Sequence, residues 1–252
     1  MKARACLRYL GPVVGLALLL AAWWFAGLWH SGSILMPSPV EVGRSLVRLL
    51  ADSGFLSQVW QTASKTCLAL AIGGIVGVSA GLVIGIVPFL RWSLSLPVHL
   101  IRSVPVTALI PLFIVLVGSP RTAGFGLACF GTVFVVLAYT LIGLANVSQA
   151  RLLYARTAGA RKGALLTKVI LYEALPSIAT GLRVSVSLAL VLVVVAEIVM
   201  GGAGLGKAIH DFRYQANYAE MYATIALTGA LGYVLNAIAE VADRTVVHWR
   251  GR

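Results

Sequence analysis

The sequence is poor in charge, and the charge it has is mostly of one sign. Charged residues make up 11% of the 252 residues, whereas hydrophobic residues make up 60%. Ordinary soluble domains carry roughly 25% charged residues. Such a composition excludes a disordered chain and a typical soluble enzyme, because one soluble core of this size could not bury so much apolar side chain. We therefore expect lipid hydrocarbon to surround most of the chain.

Residues for metal and redox chemistry are also scarce. The three cysteines, Cys6, Cys67 and Cys129, lie far apart, and the 4 histidines are isolated from one another. This spacing fits neither a metal site nor a set of paired disulfides. The apolar segments contain no recognisable catalytic set, so we expect neither a cofactor nor an enzymatic activity in this chain.

Long apolar segments recur along the sequence, and each approaches the length of about 20 residues with which a helix crosses a membrane. The pattern predicts an all-α, polytopic membrane protein that forms one transmembrane domain over residues 1–252. The six predicted spans are residues 9–29, 66–90, 98–118, 122–145, 180–200 and 221–242.

The Lys and Arg residues indicate the orientation of these spans. They number 20, against 8 Asp and Glu. With the N-terminus in the cytoplasm, the cations in the outside segments are Arg44, Arg48, Lys65, Arg121, Lys207 and Arg213, and the other 14 lie inside. This asymmetry follows the positive-inside rule, so both termini are predicted to be cytoplasmic. The bulky run Trp23, Trp24, Phe25 is unlike a cleavage site, which predicts that the first span is an uncleaved anchor.

The net charge of +12 is explained by this topology, together with attraction to anionic lipid head groups. No basic cluster with interleaved aromatic residues favours binding to nucleic acid. Residues 201–207 resemble a phosphate-binding loop, but Ala208 follows where that motif needs Ser or Thr to hold Mg²⁺. The predicted topology also puts this stretch outside the cell, away from ATP, so we interpret its glycines as a tight turn.

Glycine recurs at every fourth position of the second predicted span, as Gly73, Gly77, Gly81 and Gly85. At this spacing the glycines form a smooth stripe along one face of a helix. Membrane helices use such stripes to approach each other closely. We therefore predict tight packing of another helix against this face.

The cytoplasmic segment 146–179 is the most basic connection between spans. Apolar residues at helical spacing lie on both sides of Gly159. Two short amphipathic helices are predicted to meet there, because glycine readily takes the left-handed conformation that ends a helix. Such a corner either rests on the membrane or docks on a soluble partner.

Seven short stretches carry a resemblance to a known family: residues 35–39, 102–105, 155–160, 174–178, 180–183, 195–197 and 204–206. In them the chain resembles the permease subunits of bacterial ABC importers, in the nitrate, sulfonate and taurine branch. The resemblance covers almost the whole chain and implies a fold like that of type I importer permeases, in the bacterial inner membrane. It also implies a homodimer or paired permease, two ATPase subunits at the cytoplasmic face and an external substrate-binding protein.

In that family the long cytoplasmic loop carries a Glu-Ala-Ala motif and sits in a groove of the ATPase. The coupling residues that the resemblance implies are Leu153, Tyr154, Ala155, Ala158, Gly159, Ala160, Val169 and Leu171. The motif's Glu and first Ala are replaced here by Leu153 and Tyr154, and Tyr172 stands where the motif has a proline. The glycine spacing and Pro176 are kept.

Three residues within spans are candidates for the translocation path. Pro105 and Pro111 each lack a backbone donor and favour a kink, and kinked spans often line cavities in transporters. A purely structural bend is the alternative. Glu197, near the outer end of its span, either lines the path or pairs with another helix.

The sequence leaves the substrate open. The resemblance implies a small solute such as a sulfonate, nitrate, taurine or a vitamin precursor, selected largely by the binding protein. A stand-alone secondary transporter is the main alternative, although it would typically show inverted repeats and more polar groups within the spans.

Overall fold

The computed structural model describes residues 2–29 and 35–247. Within these ranges the regular structure is entirely helical, which confirms the predicted all-α class. The helices are α1 (Lys2–Trp29), α2 (Pro39–Ala51), α3 (Ser53–Ile86), α4 (Pro88–Ser103), α5 (Ile110–Val117), α6 (Pro120–Ala145), α7 (Gln149–Thr157), α8 (Lys162–Leu165), α9 (Leu171–Met200), α10 (Leu205–Tyr214) and α11 (Tyr218–Val246). A 3-10 turn, Val106–Leu109, precedes α5, and a π-helical turn, Leu166–Ile170, joins α8 to α9.

The contacts within the chain group it into two compact units. The first unit consists of Met1–Gln58 and Ala208–Thr228, and the second of Val59–Lys207 and Gly229–Arg252. The single transmembrane domain over residues 1–252 stays a prediction.

Four of the described helices are long and apolar enough to cross a membrane, or five if a bent pair is counted as one span. The four are Ser53–Ile86, Thr122–Ala145, Lys162–Met200 and Tyr218–Thr245. The side chains of α1 are described only in part, so the described apolar stretch Ala17–Gly27 does not test the first predicted span. Six spans and two cytoplasmic termini therefore stay predictions, and Arg250 and Arg252, two of the inside cations, lie outside the described residues.

The third predicted span, residues 98–118, is broken in the structure. Its two parts, Pro88–Ser103 and Val106–Val117, are bent by 88°. Val104 is extended, with φ −78° and ψ 125°, because the ring of Pro105 disfavours the helical conformation in the residue before it. Pro111 lies in the first turn of α5, where a missing backbone donor costs nothing, so the kink predicted at Pro111 does not form.

Helices α3 and α9 extend well beyond the spans predicted from hydropathy, and α9 begins at Leu171 rather than at residue 180. Helix α3 begins at Ser53 rather than at residue 66, and its 34 residues correspond to a length of about 50 Å. The hydrocarbon layer is only about 30 Å thick. The more polar first part of α3, before residue 66, continues the helix beyond its apolar run, so hydropathy alone does not indicate it.

Small residues bring the helices of the second unit close together. Helix α6 packs along α9, and the buried core here contains Ala69, Ile110, Leu127, Ala128, Leu192 and Val193. The glycine stripe of α3 lies against α6: Gly73, Gly77, Gly81 and Gly85 face Thr132, Val136, Thr140 and Leu144 respectively. Both sets repeat every four residues, so the smooth face of α3 matches one ridge of α6 over three turns.

The first unit is organised by helix α2 and a charged residue of α11. Ser38 and Glu41 cap α2 reciprocally, since the Ser38 hydroxyl accepts from Glu41 N at 3.3 Å and Glu41 Oε2 accepts from Ser38 N at 2.8 Å. Glu220 accepts hydrogen bonds from Ser45 Oγ and Arg48 Nη2, each at 3.3 Å. Trp23 stacks on Tyr222 with ring centroids 6.1 Å apart.

Candidate functional site

The predicted corner around Gly159 is present as a turn between two helices. Helix α7 begins after Ser148, whose hydroxyl accepts from Arg151 N at 3.5 Å. It ends with Gly159 in the left-handed region, at φ +80°. Ala160 N donates to Ala155 O and Gly159 N to Arg156 O, both at 3.0 Å, which is the hydrogen-bond pattern of a Schellman motif. The glycine therefore sets the direction in which the chain leaves α7.

The two residues that replace the start of the family motif are both highly exposed, and both have large side chains. Leu153 is 64% exposed and Tyr154 is 77% exposed. The other predicted coupling residues lie on both sides of the turn: Ala155, Ala160, Val169 and Leu171 are half-buried, and Ala158 and Gly159 are exposed. The corner thus presents an apolar pair, Leu153 and Tyr154, to its surroundings. We call these two residues and Gly159 the coupling corner.

Glu173 holds the base of the coupling corner, and sequence reasoning missed it. It lies in the first turn of α9 and is largely buried. Its Oε1 pairs with Arg151 Nε at 2.7 Å, and its Oε2 accepts from Ser148 N at 2.9 Å. One carboxylate therefore ties the first turn of α7 to the first turn of α9. A single acidic residue in a strongly basic segment was the available signal.

The coupling corner continues into the longest span. Residues Lys162–Met200 form one continuous, mainly apolar helix. Within it, the turn Leu166–Ile170 has π-helical hydrogen bonds. In that turn Leu171 N donates to Leu166 O. Such turns accommodate an extra residue and are frequent at functional sites. The coupling corner and α9 are therefore joined by continuous helix, without an intervening loop after Lys162.

Glu197 lies near the other end of α9 and is buried, with 4% of its surface exposed. Its Oε1 accepts from Lys65 Nζ at 2.8 Å. Its Oε2 accepts from Thr62 Oγ1 at 2.9 Å and from Gly206 N at 3.0 Å. Because both oxygens are satisfied by protein donors, this geometry favours the pairing alternative over a place in an open path.

The remaining path candidates lie in a different environment. Pro105 and Pro111 are exposed at the bend between α4 and α5, whereas Glu197 is buried. A second ion-pair group joins α9 to α11 within the same unit: Glu240 accepts from Arg183 Nη2 at 3.0 Å and from Arg244 Nη2 at 2.6 Å. Glu240 and Arg244 lie one helical turn apart on α11, the spacing at which opposite charges on a helix can pair.

The sequence is similar to a known family and to known transport proteins. Residues 73–249 match the family described as "Binding-protein-dependent transport system inner membrane component". The "Taurine transport system permease protein TauC" of Escherichia coli (strain K12) is 30% identical over 242 residues, which cover 94% of this chain and 88% of TauC. The "Nitrate import permease protein NrtB" of Synechocystis sp. is 23% identical over 245 residues, with 94% and 88% covered.

A solved structure shows the same fold. A chain in the inward-facing MetNI methionine ABC transporter has a TM-score of 0.66 at 21% identity, over 76% of this chain and 95% of that chain. Together with the family match, this confirms the resemblance to importer permeases and the expected location in the inner membrane. The chain belongs to the family of binding-protein-dependent transport system inner membrane components, and it is a permease subunit of an ABC importer.

Proposed function

We propose that the coupling corner is the surface through which separate ATPase subunits drive this permease. The observation that carries the proposal is the exposed pair Leu153 and Tyr154, fixed on a turn that runs directly into α9. Burying a large apolar side chain stabilises a complex by about 1.5–3 kcal/mol. Docking by the corner therefore has a driving force that does not depend on the charge that the family motif supplies.

The anchoring of the corner supports a mechanical role. Glu173 ties the base of α7 to α9, and the Schellman turn at Gly159 fixes the direction of the corner. A push on Leu153 or Tyr154 thus moves the cytoplasmic end of α9 instead of bending a loose loop. In this mechanism, ATP binding in the partner closes its two halves, the corner follows, and the spans switch from inward-open to outward-open.

We further propose that the permease works as a pair, together with two ATPase subunits and an external binding protein that delivers a small anionic solute. The family is described by its dependence on a binding protein. TauC and NrtB are named for taurine and nitrate, and both of these solutes carry an anionic group. ATP hydrolysis is assigned to the partner, and the present chain supplies the path. Pro105 and Pro111, at the bend between α4 and α5, are the proposed path residues.

The test replaces Gly159 by Val and, as a matched control, by Asn. The two side chains are similar in size, but Asn tolerates the left-handed conformation, whereas a β-branched residue there costs about 1–2 kcal/mol or more. Val is expected to abolish co-purification of the ATPase and ATP-driven uptake, whereas Asn is expected to keep both. Normal ATPase association in Gly159→Val would show that the corner is not the coupling surface.

The same preparation separates this proposal from a stand-alone secondary transporter. The permease is reconstituted in liposomes with and without its ATPase, with the binding protein and solute outside in both cases and an imposed ion gradient. We expect uptake only when the ATPase and ATP are both present. Gradient-driven uptake by the permease alone would contradict the proposed function.

A further inference from the structure

A buried polar network joins the outer end of α9 to α3. Glu197 is its centre: it receives Lys65 Nζ on one carboxylate oxygen and Thr62 Oγ1 on the other. The two donors lie one turn apart on α3, so they reach the same carboxylate from one face of that helix. With this carboxylate 4% exposed and the Lys65 side chain 18% exposed, the ion pair is almost entirely removed from water.

The same three side chains also hold the start of α10. Gly206 N donates to Glu197 Oε2 at 3.0 Å, and Leu205 N donates to Thr62 Oγ1 at 2.8 Å. Both are among the first backbone N–H groups of α10, which have no partner within their own helix. Lys65 also donates to the carbonyl oxygen of Ala203. We call Thr62, Lys65, Glu197 and the backbone of residues 203–206 the Glu197 latch.

The glycines of this turn are explained by the proximity of the carboxylate. Gly204 has φ +145°, and a side chain at this position would overlap the Glu197 carboxylate. At Gly206 a methyl group would lie 2.6 Å from Glu197 Cβ. The likeness to a phosphate-binding loop thus has a physical basis, because backbone N–H groups at a helix start bind an anion. The anion here is the chain's own carboxylate.

We propose that Glu197 is a positioning residue for transport: its latch makes α10 follow the movement of α9 at the end remote from the coupling corner. Glu173 and Glu197 lie 24 positions apart on α9, which corresponds to about 36 Å, slightly more than the hydrocarbon thickness. One helix therefore carries an ion-paired carboxylate at each side of the membrane. This inference rests on the proposed function, since the movement begins at the corner.

The latch requires a carboxylate and not merely a polar side chain. Glu197 receives three donors on two oxygens, and an ionised carboxylate is acceptor-only. A glutamine would turn its NH₂ group toward Lys65 or toward Gly206 N, both of which are donors. Removing one member of a buried ion pair also leaves the other charge without compensation. Glu197→Gln therefore opens the latch and destabilises the site, and these two effects must be separated.

The experiment follows α10 directly in the complex of permease and ATPase. A single cysteine replaces Tyr214, which lies at the end of α10 and is 77% exposed, in a background where the native cysteines are serine. Its rate of reaction with a maleimide is measured with and without ATP. The variants are Glu197→Gln, Lys65→Met and a double variant that combines Lys65→Met with Glu197→Met. Glu240→Gln is the control, because Glu240 also bridges two partners but lies outside the latch.

In the parent we expect the reaction rate to change on addition of ATP. In Glu197→Gln the difference between the maleimide reaction rates with and without ATP should be smaller by about tenfold or more. Tenfold is about the factor expected for the loss of a charge-assisted hydrogen bond. ATPase association should persist, and Glu240→Gln should respond like the parent. Because loss of ATPase association marks failure of the coupling corner, the two proposals fail in distinguishable ways.

The double variant separates positioning from stability. The double variant combines Lys65→Met with Glu197→Met, which removes both buried charges, so its melting temperature should recover towards that of the parent. The ATP-dependent change should stay lost, because a methionine at position 197 has no oxygen to accept the N–H of Gly206. Recovery of both quantities would overturn the proposal, and so would an unchanged ATP response in Glu197→Gln or a parent without any response.

Discussion

Replacing Gly77 by alanine tests the close approach of α3 and α6. The added methyl group would lie 2.7 Å from the carbonyl oxygen of Val133 and 2.9 Å from Val136 Cβ. The first contact is with backbone, which cannot move aside, so the two helices must separate. Overpacking of this kind costs about 1–3 kcal/mol, and the gain in helix propensity on replacing Gly by Ala returns about 1 kcal/mol. Because the closest contact is with backbone, the cost lies in the upper part of this range, at about 2–3 kcal/mol, and we expect a net destabilisation of about 1–2 kcal/mol.

Gly229→Ala is the matched control, because a methyl group at this position in α11 has no neighbouring atom within 4 Å. Thermal melting of the purified permease in detergent, followed by tryptophan fluorescence, measures both variants. At about 2–4 °C per kcal/mol, Gly77→Ala should melt about 2–8 °C below the parent, and Gly229→Ala should melt at or above the parent. If Gly77→Ala melts as high as Gly229→Ala, the glycine stripe does not hold the two helices together.

Two further substitutions test single contacts. Ala216 follows α10 in the left-handed region, at φ 57°. Ala216→Gly should therefore remove about 1 kcal/mol of backbone strain and raise the melting temperature of the permease. An unchanged or lower melting temperature would contradict this. Glu173→Gln removes the partly exposed ion pair with Arg151, whereas Ser148 N keeps an acceptor. We therefore expect ATPase binding to weaken by about threefold. Titration of the ATPase onto the permease measures this affinity. Glu240→Gln should leave this affinity unchanged, and equal losses in both would point to a general loss of structure.

Local signals in the sequence predicted the local features of the fold. The apolar run 122–145 is helix α6, and the glycine within a basic amphipathic segment forms the turn that was predicted. These features depend on hydropathy and on the conformation of one residue, both of which are visible in a short window. The bend at Pro105 is of the same kind, although the sequence did not indicate that it divides the span.

Non-local pairings could not be predicted in the same way. Glu197 meets Thr62 and Lys65 across 135 and 132 positions of the chain, and no pattern within one segment fixes such a partner. Glu173 was missed for the same reason, since its partners lie on a different helix. For a buried carboxylate, hydropathy predicts only that some partner exists. The packing of the helices then decides which one.

The exposed pair Leu153 and Tyr154 has a consequence for how the transporter is made in the cell. A newly inserted permease without its ATPase presents two large apolar side chains to the cytosol, where chaperones and proteases recognise such surfaces. Assembly hides this signal. In the proposed complex, the surface that receives the ATPase would therefore also mark unassembled copies for removal, which would keep the two subunits in matched amounts.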